Sequence, residues 1–125
     1  MNRSNLQELE AMLGELERRG STLARVIEYA PSMIVIGDGA RLHYCNAAFC
    51  DLLGYAREEI TARPVFEFVH PEDLAAQNQA IKEIDGRTVE GVPLRYLRAD
   101  GTAVLLRWTG ADLGGGLKLG IAEVV

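Results

Sequence analysis

Between Met33 and Tyr55 the chain reads MIVIGDGARLHYCNAAFCDLLGY, an order of residues that admits few local structures. Met33 to Ile36 is an unbroken apolar run rich in β-branched side chains, the pattern of a strand buried on both faces. Gly37-Asp38-Gly39 is turn chemistry, because glycine takes positive φ at no steric cost. Arg41 to Cys45 then returns as the second arm of a hairpin. Asn46 is a helix N-cap candidate, its side chain able to accept from backbone N–H groups two and three residues on. Phe49, Leu52 and Leu53 fall on one face of the helix it starts, and Gly54 stops that helix as its C′ residue.

The chain extends this plan on both sides. Leu6, Leu9, Leu13 and Leu16 recur at spacings of three, four and three, an apolar seam on a helix expected from Asn5 to Arg19. Gly20 followed by Ser21 and Thr22 reads as a stop and a restart, with a short helix over 23–29 presenting Leu23, Val26 and Ile27. The boundaries drawn from this are 1–22 for an N-terminal amphipathic dimerisation helix and 23–125 for a single domain. After Gly54 come a short helix at Arg57–Ile60, an apolar loop from Pro64, and a helix entered at His70-Pro71-Glu72-Asp73. There proline suits the first helical position and the two carboxylates suit the positive end of the helix dipole. Leu74, Ile81 and Ile84 give that helix an apolar side. Val89–Arg98, Ala103–Asp112 and Leu117–Val125 read as three strands, joined by Asp100-Gly101 and by a Gly-rich turn. Strands gathered towards the two ends, with short helices between, imply an α+β fold: an antiparallel sheet with helices on one face.

A chain of 125 residues suffices for one domain with a modest core. Its net charge of −5 argues against a nucleic-acid surface, which needs a basic stripe to neutralise phosphates. Cys45 and Cys50 form neither a disulfide framework nor a metal quartet, so small apolar packing in a reducing compartment is their expected role. No signal-peptide pattern and no apolar run near the ~20 residues of a bilayer span is present, so direct membrane insertion is excluded and a cytoplasmic location is expected. The serines Ser4, Ser21 and Ser32 lie at helix ends or in loops, and neither a glycine-rich phosphate motif nor HExxH occurs. The chain is read as no enzyme, without catalytic or metal-ligating residues.

Seven short motifs, in order, resemble a PAS domain. They are Asp38-Gly39, Asn46-Ala47-Ala48-Phe49, Leu52-Leu53-Gly54-Tyr55 with Glu58-Glu59-Ile60, Phe66 and Val69 before His70-Pro71-Glu72-Asp73, Asp100-Gly101, and a Gly-rich turn leading into Leu119-Gly120-Ile121. The resemblance covers residues 23 to 125. It implies a five-stranded antiparallel sheet of order 2-1-5-4-3 with helices over one face. It also implies a regulatory role: sensing a ligand, redox state or light, or mediating dimerisation, within a larger, bacterial-type signalling protein. Two departures stand out. Light-sensing relatives carry a cysteine in a Gly-x-Asn-Cys-Arg-Phe-Leu-Gln motif, where this chain has Ala75-Ala76-Gln77-Asn78-Gln79. Many PAS domains end in Asp-Ile-Thr before an output helix, where this chain has Glu123-Val124-Val125. A fragment of a longer protein, with an attached effector, is therefore expected.

The resemblance leaves the cofactor open. Cysteinyl-flavin chemistry is not expected, and haem would have to use His70 or His43, since the helix after Pro71 has no histidine. By strand alternation and by comparison with PAS pockets, Tyr44, Asn78, Gln79, Tyr96, Leu106, Trp108 and Ala122 are the candidate lining for a small apolar ligand. The competing reading is that these side chains fill the core. Leu97 and Leu105 should point to the opposite face of the sheet, where Leu6, Leu9, Leu13 and Leu16 could cover them in a homodimer. The functional expectation is a sensory and dimerisation module relaying a packing change to its effector. The alternatives are a ligand-free interaction scaffold and a non-covalent flavin or haem redox sensor.

Overall fold

The computed structural model describes residues 3–125, with side chains from Gln7 onward except those of Leu9, Leu13, Leu16 and Glu17. The side chains of the leucine seam expected at Leu6, Leu9, Leu13 and Leu16 lie outside those described. Helix α1, Arg3–Tyr29, runs for 27 residues without a break. The stop expected at Gly20 does not occur. A glycine inside a helix costs only about 1 kcal/mol, and the Thr22 hydroxyl donates to the Arg18 carbonyl at 3.0 Å instead of capping a new helix. Leu23 and Val26 are exposed; Ile27 and Glu28 turn towards the rest of the domain.

Strands β1 (Met33–Gly37) and β2 (Leu42–Cys45) form the hairpin, with Ile36 opposite Tyr44 and a bulge at Ile36–Gly37. Its turn is held by the Asp38 carboxylate, which accepts from the N–H groups of Ala40 and Arg41 at 2.8 Å each. Helix α2 (Ala47–Leu53) starts at Asn46 and ends at Gly54, whose φ of 80° favours glycine over any other residue. Helix α3 (Arg57–Ala62) follows, then two single 3₁₀ turns, Val65–Phe68 and Pro71–Asp73, and helix α4 (Leu74–Glu83). Asp73 does not cap α4 with its side chain. Its carboxylate reaches across to Arg95, accepting from the backbone N–H at 2.7 Å and from Nε and Nη2 at 3.0 and 2.9 Å.

Strands β3 (Val89–Leu97), β4 (Ala103–Gly114) and β5 (Leu117–Val124) complete a five-stranded antiparallel sheet in the expected order, β2-β1-β5-β4-β3. Alternation along β3 and β4 turns Leu94, Tyr96, Val104, Leu106 and Trp108 inward, where all are buried with Ala122 of β5. Phe49, Leu53, Ile60, Val65 and Phe68 close on them from the helical side. Phe49 meets Tyr96 and Trp108 edge-on, at ring separations of 6.1 and 6.0 Å. Both outer strands are irregular: β2 is four residues long, and β3 carries Pro93 and a bulge between Val89 and Val92.

Candidate functional site

Gly110 and Gly120 sit opposite each other on β4 and β5, each two residues from an inward-facing neighbour, Trp108 and Ala122. Glycine inside a strand marks a place where another group comes close. A Cβ on Gly110 would lie 2.5 Å from Cδ1 of Ile84, and one on Gly120 2.9 Å from Val35 Cγ2 and 3.0 Å from the Trp108 ring. The bare stretch of sheet beneath α4 leaves a cavity of about 90 Å³. Its wall is mostly apolar, from Val35, Ile81, Ile84, Val92 and Leu94, with the exposed Arg41 at its rim.

Three of the lining residues, Gln77, Tyr96 and Trp108, carry buried polar groups. The Tyr96 hydroxyl donates to Gln77 Oε1 at 3.1 Å, both side chains being buried. Burial holds that hydroxyl above the usual phenol range, so it stays a donor. Trp108 is 9% exposed, and its indole N–H is buried with no hydrogen-bond partner among the described residues. An unpartnered buried donor costs about 1–3 kcal/mol, and this one belongs to a side chain of the cavity wall.

The candidate lining thus divides. Tyr96 and Trp108 line the cavity; Leu106 and Ala122 are packed within the core beside it. Asn78 and Gln79 are exposed on α4, Gln79 Nε2 donating to Glu83 at 3.0 Å, so they do not supply the polar contacts expected of them. Gln77 supplies that contact. The helical period announces it, because Leu74, Gln77, Ile81 and Ile84 share one face of α4. Tyr44 also turns away, towards α1 and α3. His43 is exposed beside Asp38, 3.0 Å from its carboxylate, and His70 accepts from the Glu72 N–H at 3.1 Å; neither lines the cavity. Leu105 lies exposed on the outer face and Leu97 half-buried.

A second constellation joins α1 to the sheet. The side chain of Asn46, fully buried, makes four hydrogen bonds. Its Oδ1 accepts from the Ile34 N–H at 3.0 Å and the Phe49 N–H at 3.3 Å, and its Nδ2 donates to the Ile27 and Ser32 carbonyls at 2.9 Å each. Beside it the Glu28 carboxylate accepts from the Tyr44 hydroxyl and from Arg57 Nη2, and Arg57 Nε donates to the Cys45 carbonyl at 2.8 Å. The Tyr44 and Arg57 bonds hold the Glu28 carboxyl below its usual range, while burial and the Glu28 contact push the Tyr44 hydroxyl up to about 12.

Among solved structures, the fold is similar to a PAS domain of an HTR-like protein from Haloarcula marismortui, with a TM-score of 0.74 at 23% identity over 93% of this chain and 99% of that one. A domain of a sensory box sensor histidine kinase/response regulator from Geobacter sulfurreducens gives 0.74 at 21% identity, over 86% and 96%. An RNA-binding light-oxygen-voltage receptor gives 0.69 at 25% identity, over 85% of this chain and 33% of the receptor. No curated protein matches the sequence at a significant level. A family model described as the PAS fold matches residues 42–112, more than half of the 125, from the second arm of the hairpin to the far end of β4. The chain belongs to the PAS family.

Proposed function

We propose that this PAS domain is a sensory module of a signalling protein, in which a small, mainly apolar ligand bearing one hydrogen-bond acceptor occupies the cavity under α4. The observation that carries this reading is the mostly apolar cavity walled in part by Trp108, whose buried N–H has no partner among the described residues. The volume, about 90 Å³, lies well below the roughly 300–1,000 Å³ of pockets for drug-sized ligands. A guest of a few heavy atoms suits it, and a flavin or haem does not. Relay to an attached effector has a short route. Val35 lines the cavity, and its neighbour Ile34 donates to Asn46, which in turn holds the carbonyl of Ile27 on α1. Filling the cavity would bias how β1 holds α1, and thus what lies beyond that helix. Trp108 is the sole tryptophan, so its fluorescence reports occupancy directly. A saturable emission change with a short-chain ketone, weaker with the hydrocarbon of the same shape, is the expected result, and ligand-observed NMR, which needs no tryptophan, should show that preference lost in Trp108→Phe. No saturable response to either compound would end the proposal.

A second reading is favoured by a different surface. Leu105 and Ile121 are 41 and 38% exposed on the outer sheet face. We propose homodimerisation through this face with the N-terminal helix. Light scattering on the chain with and without residues 1–20 tests it, and an unchanged assembly state would rule it out.

A further inference from the structure

β2 ends at Cys45, Asn46 caps the next helix, and the first turns of α2 fold Cys50 back over Cys45. The two sulfurs lie 3.5 Å apart. Cys45 is buried and Cys50 is half-exposed. An outer thiol that an oxidant reaches first, touching an inner thiol that can displace the product, is the arrangement needed for internal disulfide formation. Burial, with the contact to Cys50, pushes the Cys45 thiol up to about 12, so oxidation begins at Cys50. To bond, the sulfurs must close from 3.5 Å to about 2.05 Å.

We propose that Cys45 and Cys50 form a peroxide-responsive dithiol, a modification site that closes to a disulfide at the junction of β2 and α2. In the first step the Cys50 sulfur attacks one oxygen of a hydroperoxide. The O–O bond breaks, Cys50 becomes a sulfenic acid, and the other oxygen leaves as water or, from an organic hydroperoxide, as an alcohol. In the second, the Cys45 sulfur attacks the Cys50 sulfur, the S–O bond breaks, and hydroxide departs with the Cys45 proton as a second water. Two thiols lose two electrons and one hydroperoxide gains them. The inference stands apart from the cavity reading and needs no ligand there.

The position of this pair gives the bond a consequence. The residues it would span include Asn46 and Phe49, and Asn46 holds both Ile27 at the end of α1 and Ile34 on β1. Drawing the sulfurs together pulls on the segment whose geometry sets those bonds. Oxidation of the dithiol would therefore loosen the attachment of α1.

The test treats the full chain with hydrogen peroxide and reads intact mass and thiol content. The protein should become lighter by two hydrogens, lose both alkylatable thiols, and regain them with a dithiol reductant. Cys45→Ser should stop at a sulfenic acid that a cyclic dione traps, and Cys50→Ser should keep its buried thiol. Oxidised wild type should exchange the Ile34 and Phe49 amides about tenfold faster than the reduced protein. Two surviving thiols, added oxygen without loss of hydrogen, or a disulfide between chains would overturn the dithiol assignment. Unchanged exchange at both amides would overturn its link to α1. If Cys45→Ser fails to fold, the wild-type mass and thiol count still decide.

Discussion

Replacing Asn46 with alanine tests the junction most directly, because a single side chain there serves four backbone groups on three elements and the connection leading to them. The loss can be built up bond by bond. Removing the acceptor for the Phe49 N–H removes a helix cap, about 1 kcal/mol. The Ile34 N–H, bonded at 3.0 Å in a part-buried setting, loses this acceptor, and an unsatisfied buried donor costs about 1–3 kcal/mol. The Ile27 and Ser32 carbonyls lose their Nδ2 donor but lie at residues that water reaches, so hydration recovers most of that term. The sum is about 2–4 kcal/mol, a large share of the roughly 5–15 kcal/mol that holds a domain together. Urea unfolding followed by far-UV circular dichroism measures it, with the slope of the transition checked against wild type. Asn46→Asp separates the two halves of the side chain. It keeps the oxygen that caps α2 but sets an acceptor against two carbonyls, so α1 should detach while α2 persists. Amide exchange would show protection lost at the end of α1 and kept in α2. A loss below about 1 kcal/mol in Asn46→Ala would refute the claim that this residue anchors the helix.

The Asp73 carboxyl is held at about 2 by its bonds to Arg95, below the unfolded value near 3.9. Its contribution is complete above about pH 4 and fades as the pH falls towards 2, so the stability gap between wild type and Asp73→Asn should close over that window in acid titrations monitored by circular dichroism. Gly110→Ala should destabilise by about 1–3 kcal/mol through overpacking against Ile84 and should reduce any ketone response of Trp108 fluorescence. Gln77→Leu leaves the Tyr96 hydroxyl without its partner and should cost about 1–3 kcal/mol in urea unfolding, which the double variant with Tyr96→Phe should largely restore.

Much of the architecture is legible in residue order because it rests on local rules. The apolar run at Met33–Ile36, the cap at Asn46, the αL stop at Gly54 and the alternation through Trp108 each specify their own neighbourhood, and the structure keeps all four. The continuity of α1 through Gly20 is not legible in the sequence, because glycine biases a helix end without enforcing one, and no proline follows until Pro31. The cavity lies beside Leu106 and Ala122, with Tyr96 and Trp108 in its wall. Its position depends on two glycines, Gly110 and Gly120, that become opposite partners only when β4 and β5 pair. Parity along each strand places both on the inner face, but their meeting is a matter of register, which no single strand contains. The contact of Glu28 with Tyr44 and Arg57 was hidden for the same reason, as it spans three elements far apart in the chain.

The irregular outer strands have a consequence for how copies of this domain can meet. A strand edge with free backbone N–H and C=O groups is a template on which another chain can add. Here one edge is only four residues long and further closed by the bridge between Arg41 and Pro64. The other has a bulge, a proline that donates nothing, and Tyr96 already bridged to Val69. Extension of the sheet from one molecule into the next is blocked at both ends. Association between folded domains is left to faces and to α1, and open-ended fibre growth by strand addition is disfavoured while the domain stays folded.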